Sequence, residues 1–265
     1  MRIPALLAAA LLAALAAAPA GAASKPAKKP APASSDLKFD SAKEYGACMT
    51  LARTKPGDGF ESALAWQSRG GGEAAEHCAA VALIEAGETA EGAKRMEALG
   101  TRMAGRQPAL AAEILAQAGQ AWLIAGDSKR AYAVQTAALK LAPKDVDLLV
   151  DRAVTLGQAK NYWEAIDDLN RAHDLAPNRA DVLVYRGSAY RFVDSPELAI
   201  QDLDQAIQLN DRNAEAFLER GILRRLANDN DGARSDWMRA VNLAPGTPTA
   251  DAAQKDLEML DFKAN

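Results

Sequence analysis

Two cysteines, Cys48 and Cys78, and two histidines, His77 and His173, are the entire thiol and imidazole supply of this 265-residue chain. Zinc sites and nucleophile–base–orienter triads need such side chains in clusters. Here only His77 and Cys78 are neighbours, and no CxxC pair exists. His173 stands where near-copies of the same stretch carry Leu139, Ile207 and Val241, so it reads as a packing histidine. No nucleophile elbow, phosphate-cradling glycine loop or dinucleotide fingerprint occurs. The paired carboxylates Asp167–Asp168, and Glu258 near Asp261, fall on solvated faces of predicted helices. Glycosidase-type use of such a pair would need a cleft and a set separation. No catalytic residue, metal site or cofactor is therefore assigned.

The cysteines have a second chemistry. An even count in an exported chain invites a disulfide. Pairing Cys48 with Cys78 closes 29 intervening residues, worth about 3–4 kcal/mol in the loop-entropy account. Metal or redox use of the His77–Cys78 pair is the alternative.

Export is expected from the first residues. Arg2 precedes an apolar run from Ala5 to Ala18, followed by small residues suited to cleavage after Ala20 or Ala23. That is the layout of a signal peptide, too short for a spanning helix. Residues 1–23 are assigned to it, and no cysteine follows to carry a lipid anchor. Residues 24–35 are a Pro/Ala/Lys linker, a composition that cannot bury a core. These expectations make the mature chain periplasmic, with no stable membrane span. Residues 1–35 hold four basic residues and no acid, so the remainder carries 27 basic against 35 acidic residues, a net charge of −8. A nucleic-acid partner, which needs a basic footprint, is not expected.

The organising feature is a 34-residue period. With units at 112–145, 146–179, 180–213 and 214–247, the eighth place reads Gly119, Ala153, Gly187, Gly221. The twentieth reads Ala131, Ala165, Ala199, Ala233, and the fourth Leu115, Leu149, Leu183, Phe217. Apolar residues recur at helical spacing within each unit. Asp127, Asn161 and Ser195 stand as capping residues where a second helix would begin. Pro143, Pro177 and Pro245 mark breaks before the next unit. Each unit is thus a helix–turn–helix hairpin whose apolar face only a stacked neighbour can cover. Arg152, Arg186 and Arg220 occupy the seventh place, Asp168, Asp202 and Asp236 the twenty-third, and the first unit lacks both, with Ala118 and Val134. Residues that appear and vanish together are expected to pair, within a hairpin or across to a neighbour.

Residues 36–106 read as degenerate hairpins of the same series. The stretch 80–99 matches 119–138 at a shift of 39, five longer than the period, with the slack near "GTRMAGRQP". Residues 248–265 form a capping helix and tail, with Ala250, Ala253, Leu257 and Leu260 on one face.

The 34-residue length, Gly/Ala at the eighth place, Ala at the twentieth and twenty-seventh and Pro near the thirty-second resemble the tetratricopeptide repeat (TPR) family from Ala112 to Pro245, about half the chain, and residues 107–247 are assigned to the four TPR-like repeats. Arg224 departs from it where a large apolar residue is usual, and Asp211 where Pro is usual. The resemblance implies an all-α, right-handed α-α superhelix, a TPR-type solenoid of helix hairpins. It also implies a concave groove, lined by first-helix residues, that holds peptides. Mapped here, that groove comprises Asp147, Val150, Asp151, Val154, Asp181, Val184, Tyr185, Ser188, Glu215, Leu218, Glu219 and Ile222. The mapping describes an apolar floor with acids along one side, suited to a basic and apolar segment of a protein or peptide partner. Acids in a first helical turn also favour the helix macrodipole without any ligand. The expected function is a non-catalytic exported adaptor or scaffold. The alternative is an accessory subunit or enzyme of envelope polymer (peptidoglycan or polysaccharide) metabolism. Self-association of the solenoid edges is a further option.

Overall fold

The structure is a computed structural model that describes residues 41–262. The signal peptide and linker assignments lie outside the described residues. The described chain is all helical: α1 (Ser41–Thr54), α2 (Pro56–Ser68), α3 (Gly72–Glu85), α4 (Thr89–Met103), α5 (Pro108–Ile124), α6 (Ser128–Leu141), α7 (Val146–Gln158), α8 (Tyr162–Leu175), α9 (Ala180–Phe192), α10 (Pro196–Leu209), α11 (Ala214–Leu226), α12 (Asn230–Leu243) and α13 (Pro248–Phe262). They form two compact units, one ending at Ala82 and the other beginning at Leu83.

In the first unit, α1 and α2 pack where Gly59 meets Ala52. A methyl group on Gly59 would lie 2.5 Å from the Ala52 Cα, so only glycine allows this approach. Cys48 and Cys78 are disulfide-bonded, with Cα atoms 6.2 Å apart. His77 is buried, and its Nδ1 shares a 2.9 Å hydrogen bond with the Tyr45 hydroxyl. The adjacent His77–Cys78 pair is thus divided between a hydrogen bond and a crosslink.

The second unit repeats one hairpin. The helices α7, α9 and α11 start at 146, 180 and 214, and α8, α10 and α12 start at 162, 196 and 230, each set 34 apart. Each second helix packs on the first helix of its own hairpin and on that of the next. The turn within every hairpin places one residue in the left-handed region: Gly87, Gly126, Lys160, Asp194 and Asn228. The following amide reaches back to the helix end, as in Asn161 N to Leu156 O (2.9 Å) and Ser195 N to Tyr190 O (3.0 Å), a Schellman closure. This closure explains a departure from the sequence reading. Asp127 does cap α6 through Arg130 N, but Asn161 and Ser195 make no side-chain cap bond. Their backbone resembles that of Asp127, with ψ of 64° and 64° against 74°. The backbone closure therefore sets the turn, and the cap is optional. At Asp211, where Pro is missing, the preceding Asn210 side chain accepts from Arg212 N at 3.1 Å and orders the same break.

The five-residue slack is helix rather than loop. The helix α4 has 15 residues against 14 in α6, and α5 has 17 against 13 in α7. The joint between α4 and α5 keeps the usual length, four residues, as between α6 and α7.

The Arg–Asp correlation resolves into a clasp. Arg152, Arg186 and Arg220 each hold the aspartate of their own hairpin with two hydrogen bonds of 2.7–2.9 Å. A further guanidinium N–H crosses to the previous hairpin, to Thr136 (3.2 Å), Asn170 (3.0 Å) and Asp204 (2.7 Å) respectively. Of the two alternatives left open by the sequence, the arginine and aspartate pair within a hairpin, and the contact across to the neighbour goes to a different residue. The three aspartates are buried, at 3–5 % exposure.

Close helix approach within a hairpin rests on the eighth place. A Cβ on Gly187 would stand 3.0 Å from Leu203 Cγ and 3.2 Å from the Ala199 carbonyl oxygen. Gly187→Leu is expected to cost about 1–3 kcal/mol by overpacking, seen as a lower melting temperature; an unchanged one would refute this register. The helix α13 begins 34 residues after α11 and closes the array. Its Ala250, Ala253 and Leu260 are buried, while Asp251, Gln254, Lys255 and Glu258 face solvent. Its outward face is mostly polar, with Met259 exposed among those residues.

Candidate functional site: the first-helix face

Successive first helices adjoin one another, α5 to α7, α7 to α9, α9 to α11 and α11 to α13. Their outward residues make one continuous face. The structure brings the predicted groove residues together there, at different depths. Val150 and Val184 are buried, at 7 % and 3 % exposure, and so lie beneath the face as core. Val154, Ser188, Leu218 and Ile222 are half-buried, and Tyr185 is exposed. Asp147 and Glu215 are exposed, and Asp151, Asp181 and Glu219 half-buried. The accessible surface is therefore more acidic and less apolar than the sequence mapping suggests.

Two arginines thread this surface. Arg179, at the start of α9, forms ion pairs with Asp147 of the previous hairpin and with Asp181. Sequence reasoning missed it, because the corresponding residues Asp145, Asn213 and Thr247 share no chemistry with arginine. Arg191, near the end of α9, donates from its Nε to Glu219 at 2.9 Å, and its guanidinium lies 4.2 Å from the Phe192 ring centre. Glu219 is thus already engaged.

The remaining carboxylates carry the electrostatic character. Burial pushes Asp151 up to about 6; the Gln120 amide, donating at 2.9 Å, opposes this, while Asp147 and Asp145 add to it and Arg179 opposes it. Glu215 is raised by burial, then by Glu219 and Asp181, and Glu113 by burial, then by Asp145. Asp256 of α13, another residue missed from sequence, is raised by burial foremost and also feels Glu219. Burial acts to raise Asp181 as well, but its bonds and charge contact with Arg179 outweigh it and hold it below the usual range. Tyr185 is raised by burial and then by Glu215, Asp181 and Asp151. Negative charge is crowded here beyond what Arg179 and Arg191 relieve. Among the described residues, no three His, Cys, Asp or Glu side chains converge as a metal site. Among them, too, no helix is long and apolar enough to cross a membrane.

No family model and no curated protein matches the chain. Solved structures do. The crystal structure of YrrB, a TPR protein with an unusual peptide-binding site, is 18 % identical and superposes with a TM-score of 0.52. The match covers 72 % of this chain and 96 % of YrrB. This chain has the TPR fold. A MamA double mutant gives the same result, with 19 % identity, a TM-score of 0.51 and coverage of 72 % and 96 %.

Proposed function

We propose that this TPR chain is a non-catalytic, exported adaptor that holds a basic and apolar segment of a protein partner on its first-helix face. The observation that carries the reading is the crowding of carboxylates around Asp151 and Glu215, whose acidity is suppressed by burial and by one another. A lysine or arginine brought against them relieves that crowding, and Tyr185, Val154 and Ile222 offer apolar contact beside it. The description of YrrB as peptide-binding supports the use of this fold for such a segment. The Cys48–Cys78 bond supports export, since disulfides persist in oxidising compartments.

The proton linkage makes the reading testable. Asp151 titrates near 6 in the folded chain, above its unfolded value of about 3.9. In the free chain its contribution to stability is present below about pH 4 and lost as pH rises through about 6. A cationic ligand has the opposite preference, because it needs the carboxylate ionised. A labelled peptide of alternating Lys and Leu is therefore expected to bind about fivefold more tightly at about pH 7.5 than at about pH 5, the worth of one charge contact near 1 kcal/mol. Asp151→Asn should flatten that dependence in fluorescence anisotropy. Equal affinity at both pH values in the unmutated chain, or no binding at all, would overturn the proposal.

A further inference from the structure

A cavity of about 420 Å³ opens between α11 and α12, on the opposite side of α11 from the acidic face. Its lining includes Phe217, Arg220, Arg224, Asp236, Met238 and Arg239. Three arginines and one aspartate line it, in a chain otherwise dominated by acids.

The cavity exists because this hairpin departs from the other three at the places that meet there. The eleventh place is Trp122, Leu156 and Tyr190 in the earlier hairpins and Arg224 here. Instead of filling the space with apolar bulk, Arg224 extends to Asp236 at 2.9 Å and to the Gly232 carbonyl oxygen at 3.3 Å. The twenty-fifth place is Thr136, Asn170 and Asp204, each gripping the clasp arginine of the following hairpin. Here it is Met238, 52 % exposed, and α13 carries Gln254 where the next clasp arginine would stand. The fourth place, leucine elsewhere, is Phe217, with the guanidinium carbons of Arg220 and Arg239 at 5.5 and 5.9 Å from its ring centre.

The charges do not cancel. Asp236 accepts from Arg220 Nε and Nη2 and pairs with Arg224, so both of its oxygens are engaged, and Arg224 also lies 3.9 Å from Asp229. Arg220 is further neutralised by Asp204 at 2.7 Å. Arg239 has no carboxylate within ion-pair distance among the described residues. In the second hairpin the corresponding Arg171 is engaged, by Asp168 and the Pro143 carbonyl oxygen. An arginine held over an aromatic ring beside an exposed methionine presents a cation with an apolar wall. Guanidinium groups bind carboxylate and phosphate oxygens through paired N–H donors, and the volume suits a small ligand.

We infer that this cavity is a binding site for a small organic oxyanion, a carboxylate or phosphate on a short apolar body, with Arg239 as the principal anion contact and Arg224 beside it. The site is independent of the acidic face and does not rest on its peptide-binding role.

The test is protein-observed NMR with benzoate and phenyl phosphate as probes. Expected are saturable shifts at Met238 and Arg239 with dissociation constants of about millimolar, the range open to ligands of this size. The two probes separate carboxylate from phosphate preference, and binding of either supports the site. Arg239→Gln should weaken binding at least about fivefold, the loss of one charge contact, while Arg212→Gln on the exposed inter-hairpin joint should not. Arg239 is exposed, so its variant is expected to keep the native melting temperature. Shifts that fail to saturate, equal weakening by Arg212→Gln, or equal binding of neutral benzyl alcohol would overturn the assignment.

Discussion

Asp202→Ala is expected to destabilise the repeat array by about 3 kcal/mol, the lower end of the cost of stripping one partner from a buried ion pair. The Asp202 carboxylate is 5 % exposed and accepts from Arg186 Nε and Nη2 at 2.7 and 2.8 Å. Its removal leaves a guanidinium whose side chain is only 13 % exposed with only the charge of Asp174, which makes no ion pair with it, to balance it. The remaining contact, to the neutral Asn170 oxygen, cannot substitute. The lower end of the range applies because the arginine keeps some access to solvent. The damage should cross the hairpin boundary, since Arg186 also ties α9 to α8. Replacing both members together is expected to recover most of the loss, because an apolar pair of similar volume avoids desolvating charge. The chain contains that alternative already: Ala118 and Val134 occupy the same two places in the first hairpin and are buried. Urea unfolding of Asp202→Ala, Arg186→Leu and the double variant measures the coupling. A cost for Asp202→Ala below about 0.5 kcal/mol, typical of a surface substitution, would show that the clasp is decorative.

The clasp also shows what could be read from residues alone. Its arginine and aspartate were legible because they recur, and vanish, together. Its third contact was not, because Thr136, Asn170 and Asp204 share a place and a role but no residue type. The helices α7 to α12 follow from the 34-residue period, since every hairpin must present the same faces to stack. The five-residue slack was located but not interpreted. Extra residues beside a helix are absorbed as further turns when they continue its apolar stripe, and Ala111, one such residue, is buried. The acidic face was legible in membership and less so in depth. Val150 and Val184 share a sequence place with the half-buried Leu218, but burial depends on the neighbouring helices, which no single repeat reveals. Arg179 and Asp256 entered the face from a joint and from the cap, outside the periodic pattern that located the rest.

Removing the Cys48–Cys78 bond is expected to cost the first unit about 3–4 kcal/mol and to leave the clasped hairpins untouched. The reason lies in what else holds that unit together. Its core is built from Met49, Ala52, Ala63, Trp66, Ala75, Ala79 and Ala82 around the two cysteines. Alanine buries little apolar area, and stabilisation scales with area removed from water. Among its fully buried residues only Trp66 and Met49 are large, with Tyr45 and Phe60 packed partly buried against them, and small cores commonly depend on crosslinks. Both cysteines are buried, at 4 % and 0 % exposure, so a Cys48→Ala, Cys78→Ala chain keeps the helices' apolar packing while losing the restraint on the unfolded chain. Hydrogen exchange separates the two parts of the protein. Amides of α1 and α2 should exchange about a hundredfold or more faster in the double variant, the factor that about 3 kcal/mol implies at 1.4 kcal/mol per decade, while amides of α8 and α10 keep their rates. Equal protection of α1 and α2 with and without the bond would mean that the Gly59–Ala52 contact and the Trp66 core suffice. Faster exchange spread evenly to α10 would mean that the two units unfold as one.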